Sequence, residues 1–224
     1  MNRNDFNAVV RQQPSVLATN KVLKNTYLLL GATFCFSALM AFVAMASNMP
    51  PMNPLLMIVG VYGLMFLTHA TQRSAMGIVS VFAFTGFLGL TIGPILNLYI
   101  ANFSNGGQIV ATALGGTGII FFALSGYALT TQKDFSYLSG FLFVGIMVAI
   151  LAMIANFFLG LPALQLVISS VFMLISSGLI LWQTSEIIHG GETNYIAATV
   201  TLFVSLYNIF VSLLQILGSL SGRD

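Results

Sequence analysis

Seven long apolar segments, separated by short polar connections, limit the possible folds of this chain more than any other feature. They lie near residues 26–46, 54–72, 75–100, 108–130, 137–159, 163–183 and 195–219. Each is close to or above the roughly 20 residues that an α-helix needs to cross the hydrocarbon of a bilayer. The segments lack the alternation of a transmembrane β-strand, and in lipid only helices or closed barrels pair every backbone N–H and C=O. The sequence therefore predicts an all-α integral membrane protein, a bundle of seven transmembrane helices.

Composition favours a single membrane domain. The chain is 58% hydrophobic and 5% charged, whereas soluble domains carry roughly a quarter charged residues. We predict a bundle over residues 26–220, preceded by a polar and largely disordered cytoplasmic tail over residues 1–25 and followed by a short end at 221–224. A net charge of +2 gives no reason to expect nucleic-acid binding. The segment over 195–219 is rich in polar residues, so a re-entrant loop is the alternative to a seventh span there.

The basic residues predict the orientation of the bundle. Six of the seven fall on the side of the N-terminal tail, namely Arg3, Arg11, Lys21, Lys24, Arg73 and Lys133, and only Arg223 falls on the other. Short loops rich in Lys and Arg stay in the cytoplasm. We therefore expect a cytoplasmic N-terminus and, with seven spans, a C-terminus on the opposite, periplasmic side of a bacterial inner membrane.

Polar uncharged residues form a stripe on each of the last two spans. The seventh carries Thr201, Ser205, Asn208, Ser212, Gln215 and Ser219, and the sixth carries Gln165, Ser169, Ser176 and Gln183. Steps of three, four and seven place each set on one helical face. Such a face packs against other helices through hydrogen bonds, or it lines a polar cavity or pore. Both interpretations stay open on the sequence, and no Asp, Glu, Lys or Arg lies in the middle of a span.

No set of residues predicts catalysis. The chain lacks G-x-S-x-G and H-E-x-x-H, motifs typical of serine hydrolases and zinc proteases. His189 and Glu192 are separated by two glycines, which suits a solvated loop better than a rigid metal site. Cys35 is the single cysteine, so no disulfide or cysteine-based zinc site is possible within the chain. We expect no enzyme activity, no metal and no cofactor.

Three stretches together resemble the Bax-inhibitor (transmembrane Bax-inhibitor-motif) family over roughly residues 20–220. Residues 85–94 (TGFLGLTIGP) resemble the family's third helix. Residues 130–136 (TTQKDFS) with Gly140 resemble its turn between the fourth and fifth helices. Residues 189–195 (HGGETNY) with 208–210 (NIF) resemble its C-terminal end. The resemblance implies seven helices with the last one central.

The resemblance also implies two alternative functions. Bacterial members that the motifs resemble most bind and restrain the ATP-dependent membrane protease FtsH as slowly processed substrates, and this is the function we favour. The tail, with Arg3, Arg11, Lys21 and Lys24, would then engage the protease; the simpler alternative is a basic leader that sets topology.

The other function is a calcium or cation leak channel, gated by paired aspartates on the sixth and seventh helices. Gln183 and Ser205 occupy the aligned positions. Neither side chain changes charge at physiological pH, so we expect such a pH gate to be weakened or absent.

Overall fold

The computed structural model describes residues 16–222, and the regular secondary structure of that range is helical throughout. The helices, in chain order, are α1 (Val16–Ala46), α2 (Pro54–Thr71), α3 (Met76–Asn102), α4 (Gly106–Thr131), α5 (Leu138–Leu159), α6 (Pro162–Ile188) and α7 (Tyr195–Ser221). All seven are long and apolar enough to cross a membrane. The predicted all-α membrane fold with seven spans is confirmed.

Two helix boundaries differ from the prediction. α1 begins at Val16, so residues 16–25, which the sequence assigned to a disordered tail, are helical. α6 ends at Ile188 rather than near residue 183, so Glu186 belongs to its last turn and not to the loop. Hydropathy locates only the part of a helix that lies in hydrocarbon, whereas the helical hydrogen bonds continue into the polar layer. The predicted disorder of residues 1–15 concerns residues outside the described range.

The seventh segment is one continuous helix of 27 residues. At 1.5 Å per residue it is about 40 Å long, which exceeds the roughly 30 Å of a bilayer's hydrocarbon core. A re-entrant loop requires a break in the helix, and α7 has none. The re-entrant alternative is therefore wrong.

Polar and glycine residues set several helix ends. Asn53 caps α2, because its side-chain oxygen accepts a hydrogen bond from Leu55 N at 2.9 Å. Asn194 caps α7 in the same way, accepting from Ile196 N at 2.9 Å. Gly160 ends α5 with a φ of +62°, a left-handed conformation that glycine adopts without steric cost. These local signals keep the connections between the apolar helices short.

The most extensive helix contact joins α1 and α3, and glycines allow it. A Cβ atom added at Gly93 would lie 2.6 Å from Ala41 O, and one added at Gly89 would overlap Ser37 O. Small residues let membrane helices approach closely and gain van der Waals contact. The glycines at 89 and 93 therefore place the two backbones side by side.

Large apolar side chains cover the outside of the bundle. α2 and α5 are the least buried helices, and Phe157 and Phe158 of α5 are 83% and 80% exposed. Such a surface is unfavourable in water, but it matches the acyl chains of a bilayer. The exterior therefore fits lipid.

One end of the bundle carries most of its charges. This end, which we call the charged face, comprises the first turns of α1 and the α2–α3, α4–α5 and α6–α7 loops. Asn194 Nδ2 donates to Gln72 O at 3.0 Å, which joins two of these loops. Phe135 N donates to Ser185 Oγ at 2.9 Å, which fixes a third loop to the end of α6. That the charged face is cytoplasmic stays a prediction.

α7 is enclosed on several sides. It packs against α1, α3, α4 and α6, and within it only Leu220 is exposed. However, α3 and α6 each also contact four helices. Its central position therefore stays a prediction.

Candidate functional site

Both predicted polar stripes lie inside the bundle. On α7, Ser205 and Ser212 are buried, and the other members of its stripe, Thr201, Asn208, Gln215 and Ser219, are half-buried. On α6, Ser169, Ser176 and Gln183 are buried, and Gln165 is half-buried. None of these side chains is exposed on the outer surface of the bundle. That they face protein or water, and that they line a pore, stay predictions.

Toward the end of the bundle opposite the charged face, part of the two stripes forms one hydrogen-bonded cluster. Gln165 Nε2 donates to Gln215 Oε1 at 3.0 Å, and Ser169 Oγ donates to the same oxygen. Asn156 of α5 joins them, because its Nδ2 donates to Gln165 Oε1 at 3.0 Å. Its Oδ1 accepts from Leu161 N at 3.1 Å. These four side chains, the amide cluster, link α5, α6 and α7, so hydrogen bonding between helices is the role the structure gives them.

The polar periodicity of the sequence did not predict a role for Asn156. It stands alone near the end of an apolar span and has no partner at helical spacing on α5. The signal that would have found it is its position four residues before Gly160, next to the turn into α6. Only the packing of α5 on α6 shows that its amide completes the cluster.

Between the amide cluster and the charged face, the buried polar side chains have fewer hydrogen-bond partners. Ser205 Oγ donates to Thr201 O at 2.8 Å, a bond within its own helix. Gln183 Nε2 and Ser176 Oγ are buried without a hydrogen-bond partner among the described residues, as are Thr26 Oγ1 and Ser125 Oγ. An unpaired buried polar atom costs about 1–3 kcal/mol. These groups are contributed by α1, α4 and α6, and their hydrogen-bonding capacity is unused, unlike that of the amide cluster.

The two positions aligned with the aspartates of a pH gate hold an amide and a hydroxyl in the folded chain. Gln183 is 2% exposed and Ser205 is fully buried. Neither supplies a carboxylate, which is the ligand that binds calcium most strongly. Among residues 16–222, no group of three or more His, Cys, Asp or Glu side chains could hold a metal ion. The arrangement gives calcium binding no support.

On the charged face, the α4–α5 loop docks onto the end of α6. Ser185 Oγ accepts from Phe135 N and donates to Lys133 O at 3.3 Å. Hydrogen bonds from the backbone and side chain of Ser136 lower the pKa of Asp134, and the nearby His189 adds a smaller effect in the same direction. A lowered pKa stabilises the fold above the unfolded-state pKa, and this contribution is lost as the pH falls through the folded-state value. Asp134 is therefore ionised at neutral pH, where it keeps its hydrogen bond from Ser136 N within the loop.

The α6–α7 loop is partly ordered by its own side chains. His189 is exposed, as predicted, but Glu192 is half-buried. Glu192 Oε1 accepts from Asn194 N at 2.7 Å. The carboxylate thus has a hydrogen-bonded place beside the start of α7, in a loop that is partly accessible to solvent.

The four basic residues assigned to the protease-engaging tail fall into two groups. Lys21 and Lys24 lie on α1 and are exposed. Arg3 and Arg11 lie outside the described residues. The structure therefore places two of the four on a helix that continues into the first span.

Comparison with known proteins identifies close relatives. A family model described as "Inhibitor of apoptosis-promoting Bax1" matches residues 19–222. A relative from Escherichia coli K12 named "Modulator of FtsH protease YccA" is 58% identical over 210 residues, which is 94% of each chain. A counterpart from E. coli O6:H1, named "Inner membrane protein YccA", gives the same values.

A more distant relative extends the similarity. An uncharacterised protein of Pseudomonas aeruginosa is 49% identical over 219 residues, 98% of this chain and 97% of the relative. The match spans the seven helices, the charged loops and both polar stripes. The chain is thus a multi-pass membrane protein that belongs to the Bax-inhibitor family.

Proposed function

We propose that this chain is an inner-membrane protein that binds the protease FtsH and restrains it, as a slowly processed substrate. The observation that carries the proposal is the 58% identity, over 94% of each chain, to a relative named as a modulator of that protease. At this level of identity along the full fold, the same helices and loops are available for the same partner. The proposed location follows from the second relative, which is named an inner membrane protein.

The shape of the chain supports slow processing. A protease that extracts a membrane protein must separate packed helices, and here the helix contacts are extensive. α1 lies against α3 at a glycine-lined interface, and the amide cluster joins α5, α6 and α7. Each interhelical hydrogen bond contributes about 0.6 kcal/mol, so the bundle resists extraction through many small contributions.

The N-terminal end supplies the element that the protease would engage. Residues 1–15 precede α1, and α1 presents the exposed Lys21 and Lys24 on the charged face. Fifteen extended residues span about 50 Å. In the proposed orientation this segment lies on the same side of the membrane as Arg73 and Lys133, where it can reach a cytoplasmic protease.

The test is a deletion of residues 2–15, which leaves α1 intact and retains Lys21 and Lys24. Keeping these lysines beside the first span preserves the charge distribution that sets topology. We expect the shortened protein to persist longer in cells with active FtsH and still to co-purify with it. A matched control replaces Arg3 and Arg11 with Gln at full length, which separates the need for charge from the need for chain length.

Two outcomes would contradict the proposal. Equal half-lives of the full-length protein in cells with and without active FtsH would show that it is not a substrate. Failure to recover FtsH with either form of the protein would show that it is not a partner. A longer half-life for the deletion together with lost FtsH binding would move the binding site itself into residues 2–15.

A further inference from the structure

A groove runs along the side of the bundle between α2 and α7. α2 packs against α3, whereas α7 packs against α1, α3, α4 and α6, which leaves a space between the two helices. The space has a volume of about 680 Å³ and is lined by Tyr62, Phe66 and Val200 among others. It continues into a second cavity of about 950 Å³ at the charged face, with which it shares His69, Gln72 and Ala197. The two form one continuous groove.

The lining of the groove is apolar toward the middle of the membrane and polar at the charged face. Its deeper part is formed by aromatic and aliphatic side chains such as Tyr62, Phe66 and Val200. Its end at the charged face is formed by polar and charged side chains such as Arg73 and Glu192. Ten residues of α2 separate Tyr62 from Gln72, a distance of about 15 Å along the helix. This length corresponds to the hydrocarbon of one leaflet, about half of the roughly 30 Å core.

The extent of the groove favours a lipid over a transmembrane helix as its occupant. A partner helix crosses both leaflets and has a diameter of about 10 Å. The groove lining ends at Tyr62, so the first two turns of α2, from Pro54, lie outside it. At the charged face, the hydrogen bond from Asn194 Nδ2 to Gln72 O joins the two walls. The shape fits a ligand whose apolar chain lies within one leaflet and whose polar group lies at the membrane surface.

The charged residues at the end of the groove indicate which lipid headgroup fits. Arg73 is exposed there, and a guanidinium binds a phosphate through two parallel hydrogen bonds. Glu192 lines the same cavity, and its Oε1 is held by Asn194 N at 2.7 Å. A carboxylate repels a purely anionic headgroup but attracts an ammonium group. A headgroup that carries both a phosphate and an ammonium complements both side chains.

We propose that the groove between α2 and α7 binds one phospholipid with a phosphate–ammonium headgroup of the phosphoethanolamine type. The phosphate contacts Arg73, the ammonium contacts Glu192, and one acyl chain lies between Tyr62 and Phe66 of α2 and Val200 of α7. The half-buried Thr201 also lines this groove, so the first member of the α7 stripe faces the lipid site. The inference rests on the groove alone and not on the proposed protease binding.

Native mass spectrometry of the delipidated full-length protein can test the site. The protein is titrated with phosphatidylethanolamine, phosphatidylcholine and phosphatidylglycerol of identical acyl chains. We expect the ethanolamine lipid to bind most tightly. Arg73→Gln should weaken the binding of all three lipids by about tenfold, which corresponds to the loss of one charge-assisted hydrogen bond. Glu192→Gln should weaken the ethanolamine lipid most, because a choline group keeps the positive charge but has no N–H to donate to the carboxylate. Lys133→Gln, on the charged face outside the groove, should change nothing.

A steric variant gives a second, independent readout. Val200→Trp fills the apolar part of the groove and should abolish tight lipid binding, whereas Val167→Trp, at an exposed position on α6, should leave it intact. Circular dichroism shows whether each variant keeps its helices, and the two charge variants test the site even if Val200→Trp fails to fold. Equal binding of the three lipids, or unchanged binding in both charge variants, would overturn the proposal and leave only ordinary bilayer lipid in the groove.

Discussion

Replacing Gly89 with alanine should destabilise the bundle by separating α1 from α3. An added Cβ would lie 3.0 Å from both the carbonyl carbon and the Oγ of Ser37, and closer still to its carbonyl oxygen. Ordinary van der Waals contact begins at 3.4 Å. Because two of these atoms belong to the backbone of α1, no side-chain rotation relieves the overlap. The two helices must therefore move apart along their most extensive contact.

The size of the effect follows from overpacking. Inserting a methyl group into a close-packed interface costs about 1–3 kcal/mol, and in a membrane the lost van der Waals contact is the main force that holds such helices together. Alanine also gains about 1 kcal/mol over glycine in helix propensity, which offsets part of this cost. Gly115→Ala is a matched control for the gain in helix propensity. Gly115 lies within α4, and an added Cβ there has nothing within 4 Å, so no overlap accompanies the gain.

The measurement is the unfolding free energy of both variants in detergent, followed by the fluorescence of the single tryptophan, Trp182. The gain in helix propensity is common to both variants, so their difference isolates the overlap with Ser37. We expect Gly89→Ala to be less stable than Gly115→Ala by about 1–3 kcal/mol. Equal stability of the two variants would refute the close approach of α1 and α3.

Three further predictions concern topology, the start of α7 and the polar interior. In a cysteine-free background, an impermeant thiol reagent applied to intact cells should modify a cysteine at Ser104 but not one at Lys133; the reverse pattern would invert the orientation. Asn194→Ala should cost about 1 kcal/mol through the lost helix cap and a further amount through the lost hydrogen bond to Gln72 O. Asn194→Asp should keep the cap and lose only the bond to Gln72 O, so it should be the more stable variant on unfolding in detergent. Any ion flux through the protein in liposomes should change little between about pH 6 and 8, because Gln183 and Ser205 do not ionise there; a steep pH dependence would point to a different titrating group.

The sequence was sufficient to predict the seven spans, because lipid allows a long apolar segment one structure. Five of the seven helices begin and end within two residues of the predicted limits. The sequence was less informative where helices leave the hydrocarbon. The first turns of α1 and the last turn of α6, with Glu186, are helical although their polarity predicted a tail and a loop. Hydropathy reports where a helix lies in the membrane and not where its hydrogen bonds end.

The periodicity of the polar stripes predicted two helical faces, whose residues are buried or half-buried, but not what these residues contact. Gln165 and Gln215 lie on separate helices, and only the packing of α5, α6 and α7 brings Asn156 to them. Thr201 and Ser205 belong to the same sequence stripe, yet one lines the groove beside α2 and the other is fully buried. One polar face of a helix meets different neighbouring helices at different heights in the bundle, and the sequence of that helix does not show which ones. The amino-acid sequence alone therefore determined the spans and their polar faces, and the tertiary structure decided the partners of each polar group.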